Sequence, residues 1–124
     1  VAAGARVDDG HRATLALLRD LAPAERPTAI TCYNDLVAIG ALRALRELGL
    51  RVPDDVSVVG FDDIALARYL PVRLTTVRVP KVESGRLAAE LLIARIEATA
   101  PLPPERHLLD AALVVRESSA PPAG

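Results

Sequence analysis

Two pairs of polar residues in this sequence stand where they could do chemistry: Asn34-Asp35 and Asp62-Asp63. Each pair closely follows a short apolar, β-branched run, residues 28–33 for the first and residues 56–60 for the second. An asparagine amide offers both donors and acceptors, and an aspartate carboxylate accepts two or more hydrogen bonds. Together they can hold the vicinal hydroxyls of a sugar or the donors of a nucleobase. Asn34 and Asp62 are therefore the candidate ligand-binding residues. Asp35 reads as a helix cap and Asp63 as a turn residue. Carboxylates at strand ends could also hold Mg²⁺ for phosphoryl transfer, but the context is wrong for it. The acidic pair comes late in the chain, and the only lysine, Lys81, opens a helix. His11 and His107 are isolated, with no Ser or Cys placed to use either as a base. The reading is a binding protein rather than an enzyme, with no catalytic residue, cofactor or metal.

Those residues need elements to position them. Asp8 or Asp9 can cap a helix reaching about Leu21, with Ala13, Leu17 and Leu21 on one face. Pro23 and Pro27 end it, and residues 28–33 read as a short buried strand. A second helix covers residues 35–48, with Gly49 at the position that stops helices. Residues 56–60 form a continuous apolar strand of the kind covered on both faces, and residues 75–79 form another. Pro80 opens the longest helix, residues 81–99, with Leu87, Leu91, Leu92 and Ile96 as its stripe. Short strands are expected at 106–110 and 112–115, a strand tail at residues 1–3, and a loose tail from Ser118. Strand and helix alternate, so the fold class is α/β, a three-layer parallel-sheet lobe with helices on both faces. Ligands of such sheets lie beyond the carboxyl ends of the strands. Asn34 and Asp62 both fall there.

Bulk properties narrow the function classes. The 124 residues suit one domain, and a core with 51% hydrophobic but only 2% aromatic residues must be built from Ala, Leu and Val. The net charge of −1 comes without any basic stripe, which argues against nucleic-acid binding by this segment itself. No apolar run is long enough to span a membrane. The lone Cys32 excludes an internal disulfide framework and fits a reducing, cytoplasmic setting. A start at Val1 and the lack of any Met are read as marks of a fragment.

Several segments, in order, resemble one family. Pro27-Thr28-Ala29-Ile30, Tyr33-Asn34-Asp35 and Ala38-x-Gly40 are similar to the "pTAi…ND..A.G" segment of LacI/GalR transcriptional regulators. The stretch from Gly49 through Val52-Pro53 and Val59-Gly60-Phe61-Asp62-Asp63 is similar to their "G..vP.DvsvvGfDd". Leu74-Thr75-Thr76-Val77 resembles "LTTv", Gly85 and Ala88 fit "G..A", and Leu113-Val114-Val115-Arg116-Glu117-Ser118-Ser119 resembles "LvvReSt". The resemblance implies a periplasmic-binding-protein-like fold of two lobes closing on a small effector, with strands crossing between lobes as the hinge. Residues 1–119 would be the C-terminal lobe and residues 120–124 a flexible tail. Asp62 would hydrogen-bond a sugar-like effector and Asn34 would assist. A homodimer would form through this lobe at Ile39, Leu66 and Leu70, with core packing the equal alternative for Ile39. Operator DNA would be met only through an N-terminal headpiece preceding Val1. Two positions depart from the pattern: Val79 stands where many relatives carry a cleft-facing glutamine, and residues 4–9 hold no aromatic for stacking. A sugar-uptake receptor shares this fold and this strand-end logic. The "GFDD…LTTV…VRES" string favours the regulator.

Overall fold

A computed structural model describes residues 4–122, so the strand tail expected at residues 1–3 lies outside the described residues. The described chain forms two compact units. One runs up to Arg78 and resumes at Leu113; the other is Val79–Ala112.

The first unit carries a sheet, parallel from β1 through β3, with helices on it. Strands β1 (Ala29–Thr31), β2 (Ser57–Phe61), β3 (Thr75–Arg78) and β4 (Ala112–Val114) lie side by side in that order. β1 runs parallel to β2 with Thr31 opposite Val59, and β2 runs parallel to β3 with Phe61 opposite Val77. Helix α2 (Asp35–Glu47) packs on β2, and helix α1 (Val7–Leu18) packs on α2. Their meeting faces bury Leu18, Ala38, Leu45, Val56, Val58 and Leu74 in one cluster. Each leucine there contributes roughly 1.5–3 kcal/mol by leaving water.

Local sequence explains where the helices begin and end. Asn34 caps α2 by accepting a hydrogen bond from the Val37 amide at 2.8 Å. At the other end Gly49 takes a φ of 72°. The amides of Gly49 and Leu50 then close on the carbonyls of Arg46 and Leu45, at 3.1 and 2.9 Å. This is the paired closure that a left-handed glycine allows, as the sequence predicts. α1 starts where the Arg6 amide donates to the Asp9 carboxylate at 3.1 Å.

Four expectations need correction. α1 ends at Leu18, and its fully buried residues are Gly10, Thr14 and Leu18, while Leu17 and Leu21 of the expected stripe pack half-buried against the same core. Close approach decides the face: a Cβ on Gly10 would run into the Val37 carbonyl, and one on Gly40 into the Val7 carbonyl. The helices therefore turn their smallest residues inward, whatever the hydropathy. β1 is not buried, because among the described residues it ends the sheet; Ala29 and Thr31 are exposed and only Ile30 is half-covered. Residues 106–110 form no strand, having no ladder partner. Ser118 is not loose. It is fully buried, with its carbonyl on the Val58 amide at 2.7 Å and its hydroxyl on the Val58 carbonyl at 2.6 Å. β3 begins only opposite Val59, so residue 118 fills the ladder position beside Val58 that β3 leaves open.

The second unit contains helix α3 (Lys81–Glu97), which buries no residue. Val82 and Ile96 are 88% and 73% exposed, Leu92 is exposed, and Leu87 and Leu91 are only half-buried. Arg95 ties α3 to the proline-rich segment that follows, donating to the carbonyls of Leu102 and Pro103 at 3.1 and 2.7 Å. Among the described residues no helix is long and apolar enough to cross a membrane.

The two glycine environments make a stability prediction. Gly40→Ala must push α1 off α2 and should cost about 1–3 kcal/mol in urea unfolding. Gly85→Ala, in the open interior of α3 with nothing near its Cβ position, should be neutral or stabilising by up to about 1 kcal/mol. Equal effects of the two substitutions would contradict the close-packed glycine contact.

Candidate functional site

The carboxyl ends of β1, β2 and β3 form one rim, and the candidate residues sit on it. β1 leads through Cys32 and Tyr33 to Asn34, and β2 leads directly to Asp62. The ladder continues past both ends, since the Cys32 amide reaches the Val59 carbonyl and the Asp62 amide reaches the Val77 carbonyl, each at 2.8 Å. Asn34 and Asp62 thus leave neighbouring parallel strands on the same side of the sheet. Asn34 spends one lone pair on the Val37 amide and one N–H on the Ala5 carbonyl at 3.1 Å. Its side chain retains a second of each. Asp62 has φ 113° and Asp63 has φ 48°, two consecutive non-glycine residues in left-handed backbone. Such conformations cost about 1–3 kcal/mol each and persist only where the surroundings impose them.

Asp35 is one source of that imposition, and it is not the cap that the sequence suggests. Asn34 takes the cap, which leaves Asp35 in the first turn with no exposed surface. Its carboxylate accepts from the Thr76 hydroxyl at 2.5 Å and from the Ile64 amide at 2.8 Å. It therefore joins α2, β3 and the loop that follows Asp63. The space for this carboxylate exists because residue 60 has no side chain; a Cβ there would collide with it. The same carboxylate, after burial itself, helps push the Cys32 thiol up to about 11, so this cysteine is protonated and inert at neutral pH.

Asp63 is likewise more than a turn residue. Its side chain is 3% exposed and meets three arginines. Arg116 donates to one oxygen at 2.5 Å, Arg78 donates to the other at 2.7 Å, and Arg68 lies 3.8 Å away. Burial pushes the Asp63 carboxyl up, but the hydrogen bonds and charges of Arg116 and Arg78 outweigh it and hold the group below its ordinary range. Sequence reasoning missed Asp35, Asp63, Thr76, Arg78 and Arg116. A signal existed for the two arginines: Arg78 closes β3 and Arg116 follows the apolar residues 111–115, where a guanidinium must find an acceptor.

Two of the three residues expected at a subunit interface come together. Ile39 and Leu70 both line a groove of about 400 Å³, together with Leu42, Val72 and the arginines Arg43 and Arg46. Leu70 also packs against the core. Leu66 is half-exposed and lies outside the groove lining.

The Asp63 cluster predicts an acid response. With the folded pKa below the ordinary value of about 3.9, the unfolded chain takes up the proton first as pH falls. The stabilisation is complete well above that value and is lost as pH drops through it toward the folded pKa. Asp63→Asn should remove this component and flatten the fall of the urea midpoint between about pH 5 and 3. Asp63→Ala should cost about 3–5 kcal/mol at neutral pH by stranding the mostly buried Arg116. An unchanged acid slope in Asp63→Asn would contradict the assigned ion pairing.

Comparison with known proteins agrees with this architecture. The periplasmic binding protein-like domain family matches residues 1–119. The chain is similar to the ribose operon repressor of Haemophilus influenzae, 45% identical over 101 residues, which is 79% of this chain and 29% of that protein. It is also similar to the arabinose metabolism transcriptional repressor of Geobacillus stearothermophilus, 58% identical over 73 residues, or 59% of this chain and 20% of that one. Among solved structures it resembles a LacI family transcriptional regulator from Enterococcus faecium with bound ribose. The TM-score is 0.80 at 31% identity, covering 96% of this chain and 42% of that chain. The chain thus spans less than a third of each curated relative. It belongs to the periplasmic binding protein-like domain family, and the relatives it resembles are LacI-type transcriptional regulators.

Proposed function

We propose that this chain is the effector-sensing part of a LacI-type repressor that binds a sugar or related metabolite and thereby changes its affinity for operator DNA. The observation that carries the reading is the shared rim: Asn34 and Asp62 leave adjacent parallel strands at their carboxyl ends, where ligands of such sheets bind. The backbone at Asp62 supports it further. A strained non-glycine residue at a strand end is a place where stability is given up for function. Asp62 accepts effector hydroxyls, and Asn34 contributes its remaining donor and acceptor. The sugar named with the Enterococcus relative fits that donor–acceptor pattern. The function needs binding and a shift of conformational population, with no covalent step, so no catalytic residue is assigned.

Regulation in this scheme is a population shift. The effector prefers one arrangement of the protein and moves the equilibrium by its difference in affinity, typically about 1–3 kcal/mol. DNA is met through a headpiece outside this sequence, in keeping with the lack of any basic stripe here, and the regulator works in the cytoplasm. The exposed aliphatic face of α3 has chain to pack on in a protein of the relatives' length. The groove lined by Ile39 and Leu70, with Leu66 nearby in sequence, serves a homodimer. A transport receptor would use the same rim, but the repressor relatives favour gene regulation.

Two measurements test this reading in the complete regulator. A thermal-shift panel of ribose, arabinose, glucose and adenosine should reveal a stabilising ligand. Asp62→Ala should abolish that shift while operator affinity without effector stays within about threefold. Asp62→Gly should lose the shift too, yet relax the backbone and raise Tm by a degree or two, since about 1 kcal/mol moves Tm by no more than roughly 2–4 °C in a protein of that size. A full ligand response in Asp62→Ala would overturn the assignment. Separately, Ile39→Asp with Leu70→Asp should shift the protein from dimer to monomer in sedimentation; an unaltered dimer would remove these residues from the interface.

A further inference from the structure

The Asp63 cluster joins three places that the sensing role has not linked. Arg78 is the last residue before the Val79–Ala112 unit, and Arg116 is the fourth residue after the chain returns from it. One carboxylate therefore holds a guanidinium from the outgoing connection and another from the returning one. That carboxylate belongs to the residue next to Asp62.

We propose that Asp63 is a positioning residue that couples effector contact at Asp62 to the two connections leading into and out of the Val79–Ala112 unit. The inference rests on the effector role of Asp62 proposed above. Asp62 and Asp63 share a peptide plane and both hold positive φ, at 113° and 48°, so neither can relax without turning the other. A ligand that pulls on the Asp62 carboxylate therefore shifts the backbone that carries the Asp63 side chain. Charge-assisted hydrogen bonds depend steeply on distance and angle, so a small shift redistributes Asp63 between Arg116, Arg78 and Arg68. The two main partners are not equivalent. Arg116 is 11% exposed and also anchored to β3, through its Nη1 on the Leu74 carbonyl at 2.7 Å and its amide on the Thr75 hydroxyl at 2.9 Å. Arg78 is more than half exposed, and its guanidinium reaches Asp63 through Nε. The outgoing connection is thus the adjustable arm and the returning connection the fixed one. Asp63 stays ionised across the neutral range, held so by both arginines.

The test uses the complete regulator with the panel compound that gives the largest thermal shift, and compares wild type, Asp63→Asn, Arg78→Gln and Arg78→Lys. Three readouts are taken: ligand Kd, the ratio of operator Kd with and without ligand, and amide hydrogen exchange at residues 78–79 and 113–116. In wild type the operator ratio should fall in the range typical of allosteric proteins, about 5–150. Asp63→Asn and Arg78→Gln should bring it toward 1 while ligand Kd stays within threefold, and exchange should rise at the connections without rising in α1 and α2. Arg78→Lys, which keeps the charge, should retain part of the response. Arg78→Gln guards against misfolding, since its side chain is largely solvent-exposed. A merely structural role would lower Tm and leave the operator ratio alone. An unchanged ratio in both Asp63→Asn and Arg78→Gln overturns the coupling, as does a loss of ligand binding confined to Asp63→Asn. A wild type that answers no panel compound overturns the sensing reading itself, and with it the coupling, an outcome seen before any variant is made.

Discussion

A single buried carboxylate, that of Asp35, sets the geometry of the rim. A carboxylate removed from water is costly unless hydrogen bonds replace its hydration, and the two that Asp35 accepts come from β3 and from the loop after Asp63. Satisfying the group therefore requires three elements to meet at one point. Gly60 makes the meeting possible by leaving the carboxylate's volume empty. Asn34 makes it necessary, because its own cap bond to Val37 frees Asp35 from helix-end duty and turns it inward. The corner at Asp62 and Asp63 is held in its uncommon backbone from both sides as a result.

The rim then carries a division of labour among four neighbouring polar residues. Asn34 and Asp35 differ by one position along a helix start, so one points along the rim and the other into the core. Asp62 and Asp63 differ by one position around a tight left-handed corner, with a similar outcome: Asp63 turns to the arginines of β3 and the closing segment. In each pair one carboxylate, that of Asp35 or Asp63, is buried in the scaffold, and its neighbour stands on the rim.

The two units differ in how complete they are. The sheet unit buries its leucines and valines fully, while α3 leaves its large aliphatic side chains in solvent. The helix keeps its shape through backbone bonding, with side-chain help from the Arg86–Glu90 pair, four residues apart, and from Arg95 at its end.

Local rules reached a good part of this molecule from sequence alone. The α/β alternation, the helix ending at Gly49, the strand at 56–60 and the placement of Asn34 and Asp62 past strand ends all follow from propensity, periodicity and capping. These depend on residues within a few positions of one another. The tertiary structure alone decided which face α1 turns inward, because that depends on Gly10 meeting Val37 across a helix interface. It also decided that β1 ends the sheet among the described residues, that Ser118 completes the ladder beside Val58, and that Asp35 and Asp63 are buried anchors. Each of those outcomes rests on partners far apart in the chain, Asp35 with Thr76 and Asp63 with Arg116. No local pattern encodes such a partner, since a hydrogen bond's energy depends on distance in space and not on separation in sequence.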